Sequence, residues 1–488
     1  MKESKDKVRK NPYFGIVVVY MKQVSEQAVL AGKRVAFVTA GYPGKRFIYE
    51  KANSLGVDVT IIDSPDSWSK ALVELGIIKH FIGVDFGQPS ELVISDILTA
   101  MRTQGIDLDG ICTFAELSLP ITAKLARALN LPGQNPDVVS ITRDKHKVRK
   151  VAAGAGLSEV RSFKIKSLDQ VEDAADHVGF PAVLKPVSGA DSLGVKRVNS
   201  VDELRTALQE AQTIVSNLVV SSGALARLTT PTGSTVGSLS PPSEQRAERF
   251  IQLDLSLEEY LDGPEVDVDI VLYNGQVYFA SVVDNGPTVE PYFAETWNLC
   301  PSILPVSKQE ELLHEALATV KALGFQSGVF HVEERYTSRG PRIIEVNARM
   351  GGGPIRLQHK YIYGIDLVVE QLFLALGLAP SKDLCPEGTL LSQPTHPNKS
   401  YVSSTPNASK SGTIASIDFL NTVRSKPNLV GLWEFVAPGD VVIGPEEGQP
   451  SWLCEVALGG TEGGAKLLAE MNQVTNILIE HAHANCYE

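Results

Sequence analysis

Between Val329 and Gly353 the chain reads VFHVEERYTSRGPRIIEVNARMGGG. If Ser338–Gly340 forms a three-residue loop, Gly340 takes the last position, where positive φ is needed. Glu333 then faces Glu345, His331 faces Asn347, and Val329 faces Arg349. Directly opposed residues share a face of a strand pair. One face therefore collects His331, Glu333, Glu345, Asn347 and Arg349, and the other Phe330, Val332, Ile344, Val346 and Ala348. A one-residue slip would mix the two sets. Opposed carboxylates repel each other, so a cation must offset them. Glu333, Glu345 and the Asn347 amide are hard oxygen ligands that suit Mg²⁺, or Mn²⁺ in its place. Arg349 adds a planar donor fork for carboxylate or phosphate. Gly351, Gly352 and Gly353 lack side chains that would block their backbone N–H groups from an anion. An ordinary solvated acidic hairpin is the competing reading; five such residues beside a glycine run weigh against it.

The other half of such a site needs positive charge for phosphates. VLKPVSGADSLGV puts Lys185 at a strand end, and Ser188 and Gly189 open a Gly/Ser turn that could cover an anion. The pattern is neither GxxxxGK[ST] nor GxGxxG, and a surface lysine beside a hairpin is the competing reading. EEYLDGPEVDVD supplies Glu258, Glu259 and Leu261, a short segment whose backbone could hold a purine, and Glu265, whose carboxylate could accept from ribose hydroxyls. Glu265 also reads as a solvated strand end.

The elements that must position these residues follow an α/β rhythm. RVAFVTA, VDVTIID and GICTF read as strands alternating with helical segments, which implies a parallel sheet covered by helices. TRDKHKVRKVAAGAGL reads as a helix, FPAVLKPV and VKRVNS as strands, and VDELRTALQEAQ as an amphipathic helix. Residues 219–246 are rich in Ser, Thr, Gly and Pro and are expected to form a mobile insertion. VDVDIVLYNGQVYFASVVD reads as a hairpin, DLVVEQLFLALGL as a helix, and the last stretch from about Ser400 as short strands between turns. The expected units are 1–140, a Rossmann-like parallel-sheet domain; 141–255, a central lid subdomain; 256–390, a catalytic α+β subdomain; and 391–488, a C-terminal mixed-sheet subdomain.

Composition narrows the function classes. The chain has 488 residues, 43% hydrophobic and 21% charged, as ordinary globular proteins do. A net charge of −12 without a basic stripe argues against a nucleic-acid partner. The five cysteines form no CxxC pair, which fits a reducing compartment and argues against a zinc site. No segment reaches ~18 apolar residues, so no membrane span is expected, and a cytoplasmic location is. The start, MKESKDKVRKNPYFGIVVVYMK, suits a Val-rich strand better than a signal peptide.

In order and spacing, RDKHKVRKVAAGAGL, FPAVLKPVSGADSLGV, LEEYLDGPEVDVD and HVEE…IIEVNARMGGG together resemble the ATP-grasp superfamily across nearly the whole chain. PYFAETWNLCPSILP and GTIASIDFL…VAPGD are most similar to its L-amino-acid ligases and carnosine-synthase-like dipeptide ligases. The resemblance implies an ATP-grasp fold and an ADP-forming ligase that joins an amino-acid carboxylate, through an acyl phosphate, to the amine of a second amino acid. It implies that Lys145 and Lys185 contact ATP, that Glu258 and the backbone after it hold adenine, and that Glu265 holds ribose. It further implies that Glu333, Glu345 and Asn347 bind Mg²⁺, that Arg349 stabilises the acyl phosphate and tetrahedral intermediate, and that Glu295 lies near the amino-acid pocket. The Gly351–Gly353 amides would share in oxyanion binding. His331 reads either as a group that orients a substrate or as a packed, hydrogen-bonded histidine. By analogy with the superfamily, a homodimer is expected. Two alternatives stay open: another ATP-grasp reaction such as biotin-dependent carboxylation, and a nucleotide-binding protein without turnover.

Overall fold

The computed structural model describes residues 26–187, 194–216, 218–221, 224–227, 254–381, 391–396 and 398–485. The expected N-terminal strand, the turn that begins with Ser188 and Gly189, and most of the expected insertion lie outside the described residues.

The first sheet comprises β1 (Arg34–Val38), β2 (Asp58–Asp63), β3 (His80–Gly83) and β4 (Gly110–Cys112), in the order β3-β2-β1-β4 and parallel throughout. Helices α1 (Arg46–Ser54), α2 (Ser90–Gln104) and α3 (Leu119–Ala128) connect and cover it. Short apolar strands buried on both faces are what such crossovers require. β3 was not anticipated from sequence; HFIG is too short to show a period. In parallel sheets, ligands gather at the carboxyl ends of the strands. Glu116 follows β4 at that end.

Two short helices, α4 (Pro136–Thr142) and α5 (Lys145–Gly154), lead away from this sheet. Asp144 caps α5 by accepting from the Lys147 N–H at 3.1 Å, which fixes where Lys145 enters the helix. A second sheet has the order β5-β10-β6-β7, from β5 (Ser162–Ile165), β6 (Ala182–Pro186), β7 (Lys196–Val198) and β10 (Leu255–Glu259). One face buries Leu184, Leu255 and Leu257 against α6 (Val171–Val178) and α7 (Val201–Ser216). Lys185 and Glu258 therefore fall on the other face, because side chains alternate. The expected insertion opens with two paired strands, β8 (Leu218–Ser221) and β9 (Ala224–Arg227), so this part of it has regular structure.

The third sheet has eight antiparallel strands, in the order β15-β14-β11-β12-β13-β16-β20-β18. They are β11 (Glu265–Tyr273), β12 (Gln276–Asn285), β13 (Trp297–Cys300), β14 (Gly328–Thr337), β15 (Gly340–Asn347), β16 (Ser400–Ser404), β18 (Leu429–Glu434) and β20 (Cys454–Gly460); the short strands β17 (Gly412–Thr413) and β19 (Val441–Val442) pair with each other. Helix α8 (Val306–Ala322) covers one face, where Leu312, Leu313, Ala316 and Val320 pack on Val268, Ile270, Phe330, Val332 and Val346. Each fully buried Leu or Val adds about 1.5–3 kcal/mol, enough for this core to hold two opposed acids on its far side.

The hairpin between β14 and β15 differs from its sequence reading. Its turn holds only Ser338 and Arg339, because Thr337 pairs with Gly340 at φ 87°. One extra residue then enters β15 at Ile344, between Ile343, which pairs with Glu334, and Glu345, which pairs with Glu333. This bulge restores the expected pairs Glu333–Glu345 and His331–Asn347. It also exchanges two side chains: Ile343, not Ile344, enters the core. β15 ends at Asn347, so Val329 pairs with Val271 of β11 and not with Arg349.

After the glycines come α9 (Ile355–Tyr363) and α10 (Leu367–Ala375). Two further helices follow, α11 (Asn421–Arg424) and α12 (Gly464–Asn485). The final segment, expected to hold only strands and turns, thus closes with a 22-residue helix. Leu467, Met471, Val474 and Leu478 recur at helical spacing and pack into the core beneath β16 and β20. Among the described residues no helix is long and apolar enough to cross a membrane.

Candidate active site

The opposed carboxylates form the centre of the site. Asn347 Nδ2 donates to Glu333 Oε1 at 3.3 Å, and Lys145 Nζ donates to Glu345 Oε1 at 2.8 Å. Burial and the neighbouring Glu345 push the Glu333 carboxyl up to about 7. That is the electrostatic signature of a carboxylate pair short of positive charge. Among the described residues no group of three or more His, Cys, Asp or Glu side chains is disposed to hold a metal ion. The pair plus the Asn347 amide still fits a Mg²⁺ ion that keeps waters and takes phosphate oxygens as its remaining ligands.

Lysines 145 and 185 come together with the carboxylates through one buried network. Lys185 Nζ lies 2.6 Å from Glu258 Oε2, and Arg149 Nη2 donates to the same oxygen at 3.0 Å. Arg149 Nη2 also donates to the Ile344 carbonyl at 2.8 Å, which the bulge presents to it. Burial disfavours the charged form of Glu258, but Arg149 and Lys185 outweigh it and hold the carboxyl down at about 2. Burial likewise lowers Lys185, opposed by Glu258. Glu258 is thus an anchor for Lys185 and Arg149, only 2% exposed. Glu259 accepts from Arg161 Nη2 at 3.0 Å and from Arg339 Nη2 at 2.8 Å. The Leu261 carbonyl accepts from Arg335 Nη1 at 3.0 Å, and Glu265 accepts from the same guanidinium at 2.9 Å. Arg335 therefore fixes both ends of the Leu261–Glu265 segment.

Arg349 lies just past β15. Its Nε donates to Glu116 Oε2 at 2.6 Å and its Nη2 to Asn347 Oδ1 at 3.3 Å. Arg143 Nη1 donates to the other Glu116 oxygen at 2.7 Å. Burial works against the Glu116 charge, and Arg349 and Arg143 outweigh it and hold the carboxyl below its ordinary value.

His331 is a packed, ionised histidine. It meets Asp269 Oδ1 at 2.9 Å through Nδ1, and Asp269 Oδ2 meets His359 Nε2 at 2.6 Å. Burial opposes the imidazolium, yet Asp267 and Asp269 raise it to about 10. Burial similarly opposes the Asp269 charge, and His359 and His331 hold that carboxyl far below the ordinary range. The array pins α9 to β11 and β14.

The glycines have separate roles, and this corrects the expectation of three open amides. Gly351 is buried, and a Cβ there would meet His331 Nδ1 and Ile355 Cγ1, each at 2.7 Å. Its missing side chain admits the histidine ring. Gly352 and Gly353 are exposed, Gly353 with φ 48°. Glu295 sits exposed in the loop before β13, its carbonyl accepting from Asn407 Nδ2 at 2.8 Å; β13 lies three strands from β14.

Sequence reasoning did not single out Glu116, Arg149, Asp267, Asp269 or His359. Arg149 had a signal, standing four residues after Lys145 on the same helix face. So did Asp267 and Asp269, which occupy the polar phase of an otherwise apolar strand. Glu116 had none.

The site thus joins an eight-stranded antiparallel sheet, a lysine-bearing four-stranded sheet and a carboxylate–amide–arginine cluster. The ATP-grasp N-terminal domain family matches residues 49–133, the ATP-grasp domain family residues 241–356, and the D-ala D-ala ligase C-terminus family residues 155–228. The chain has the ATP-grasp fold, and separate segments of it match ATP-grasp domain families. It is 30% identical over 361 residues to carnosine synthase 1 of Gallus gallus, covering 72% of this chain and 36% of that protein. It is 26% identical over 316 residues to alanine–anticapsin ligase of Bacillus subtilis, covering 64% of this chain and 62% of that one. The L-amino acid ligase of Bacillus licheniformis shares its fold, with a TM-score of 0.71 at 22% identity over 91% of this chain and 97% of the other. The chain thus spans well under two thirds of the carnosine synthase.

Proposed function

We propose that the protein is an ATP-dependent, ADP-forming carboxylate–amine ligase that joins an amino-acid carboxylate to the amine of a second amino acid, giving a dipeptide or related amide. The observation that carries this reading is the 2.8 Å ion pair of Lys145 with Glu345. It couples the lysine side of the site to the carboxylate side. The names of the relatives, ligases of amino acids among them, support the same class.

In this reading Lys145 and Lys185 hold the phosphates of ATP. The backbone of Glu258–Leu261 faces adenine, and Glu265, held by Arg335, faces ribose. Glu333, Glu345 and Asn347 would hold Mg²⁺, which would neutralise phosphate charge. With Glu345 engaged by a metal, Lys145 would be available to the nucleotide. A substrate carboxylate oxygen attacks the γ-phosphorus, the bond to the bridging oxygen breaks, and ADP leaves. The second substrate's neutral amine then attacks the acyl carbon; phosphate leaves and nitrogen loses a proton. Arg349, oriented by Glu116 and Asn347, stabilises the oxyanion with the N–H groups of Gly352 and Gly353. His331, with both ring nitrogens turned to aspartates, supports the loop and does not touch substrate. Glu295 faces an amino-acid substrate.

A screen of amino-acid pairs, read by phosphate release and by mass spectrometry of products, tests the proposal. ADP and an amide product are expected. AMP with pyrophosphate refutes the acyl-phosphate route, and bicarbonate- and biotin-dependent turnover refutes amide formation.

A further inference from the structure

One face of the eight-stranded sheet stays polar well beyond the carboxylate pair. Paired residues share a face, so Glu345, Glu333 and Asp267 lie together; Asp267 pairs with Val283, and Asn285, two residues on, continues that face to Asn298 and Ser403. Ser403 pairs with Ala457, and Glu455, two residues earlier on β20, lies on that same face. The glycine turn crosses it. Gly351 packs on His331 of β14, while a Cβ on Gly353 would lie 3.8 Å from Glu455 Oε2.

Glu455 is 8% exposed, its Oε1 has no hydrogen-bond partner, and it forms no ion pair among the described residues. Tyr401, on the same face of β16, is fully buried, its hydroxyl unpartnered among the described residues and within electrostatic reach of Glu455. Tyr361 of α9 packs on the Tyr401 ring at 5.9 Å between centroids. One turn back on that helix, Gln358 is fully buried, and neither amide atom has a partner among the described residues. Buried polar groups are normally satisfied, so Glu455 and the Tyr401 hydroxyl, within electrostatic reach of each other, point to a ligand that meets both. Water could satisfy the hydroxyl and the amide, but it cannot neutralise a buried carboxylate. Burial pushes Glu455 up to about 7, and a cation beside it would keep it ionised.

We propose that Glu455, with the Tyr401 hydroxyl, forms a subsite for a protonated nitrogen of an amino-acid substrate. The inference rests on the amino-acid ligase reading and deepens it. Gly353, exposed and without a side chain, leaves the approach to Glu455 open. The nitrogen is either the α-ammonium of the activated amino acid, which stays charged throughout the reaction, or a basic side chain.

Calorimetric titration of the full chain, in the presence of a non-hydrolysable MgATP analogue, separates these sources. Alanine is compared with N-acetylalanine, and lysine with norleucine, on the wild type, Glu455→Gln and Tyr401→Phe. The wild type should bind the charged member of at least one pair about tenfold or more tighter, and Glu455→Gln should erase that preference. Tyr401→Phe should weaken it in the same pair. Unchanged analogue affinity in both variants shows that they fold. Equal preference in Glu455→Gln and wild type, or no preference in the wild type, overturns the subsite. If the wild type makes product while Glu455→Gln keeps its preference, the subsite falls and the ligase reading stands. No product with any pair overturns the ligase reading itself.

Discussion

Arg349 donates to Glu116 at 2.6 Å although 233 residues separate them. The contact ties the carboxyl edge of the parallel sheet to the end of the carboxylate hairpin. Arg143 completes it from the other side, so Glu116 sets where the Arg349 fork points.

Arg349→Ala should lower kcat by about 10²–10³, the usual cost of removing an oxyanion donor. Glu116→Gln should lower kcat by about tenfold and leave the KM for ATP unchanged, since it disturbs orientation and not charge delivery. Steady-state kinetics with both variants measures this. Full turnover by Arg349→Ala would remove the arginine from the mechanism.

Glu345→Gln should raise the Mg²⁺ concentration for half-maximal rate by at least about tenfold. The variant removes one of two opposed carboxylates and the partner of Lys145. A magnesium titration at saturating ATP reads it, and an unchanged metal requirement would count against the metal assignment.

Gly351→Ala and Gly352→Ala should part company. The first forces a methyl group into a histidine ring locked between aspartates and should cost about 1–3 kcal/mol. The second meets nothing within 4 Å and should stay within about 0.5 kcal/mol of the wild type. Urea unfolding of the two variants checks the difference; equal effects would contradict the close packing of Gly351 on His331.

Glu258 gives the protein an acid-sensitive contribution. Its folded value of about 2 lies below the ordinary 4.5, so the folded state binds fewer protons between them. The stabilisation is complete above 4.5 and is lost as pH falls through about 2, worth on the order of a few kcal/mol. Glu258→Gln should flatten the loss of stability between about pH 5 and 3. It should also destabilise at neutral pH by about 3–5 kcal/mol, because Lys185 and Arg149 lose a buried counter-charge. Urea midpoints at several pH values test both. An unaltered acid slope would show that Glu258 does not carry this part of the pH dependence.

Much of the hairpin was legible because strand alternation is a local rule. Polar residues at 331, 333, 345 and 347, with apolar residues between them, define the two faces without reference to any other segment. The bulge at Ile344 was not legible. It changes which isoleucine is buried, and either reading puts a similar side chain in the core. The glycines misled for a related reason: an absent side chain shows that space is needed, not whether a ligand or a histidine fills it.

The sequence by itself determined the order of the lysine-, carboxylate- and arginine-bearing motifs, the parallel first sheet and the pairing of Glu333 with Glu345. Each follows from spacing along a short stretch or from motif order along the chain. Tertiary structure alone decided that Glu116 orients Arg349, that Glu258 anchors Lys185, that Asp269 is shared by two histidines, and that Glu455 faces the glycine turn. Some of these partners lie on different sheets or helices, and others, such as Glu258 with Lys185 and Asp269 with His331, on neighbouring strands far apart in the chain. Packing of whole elements sets their separation, and no residue period records it.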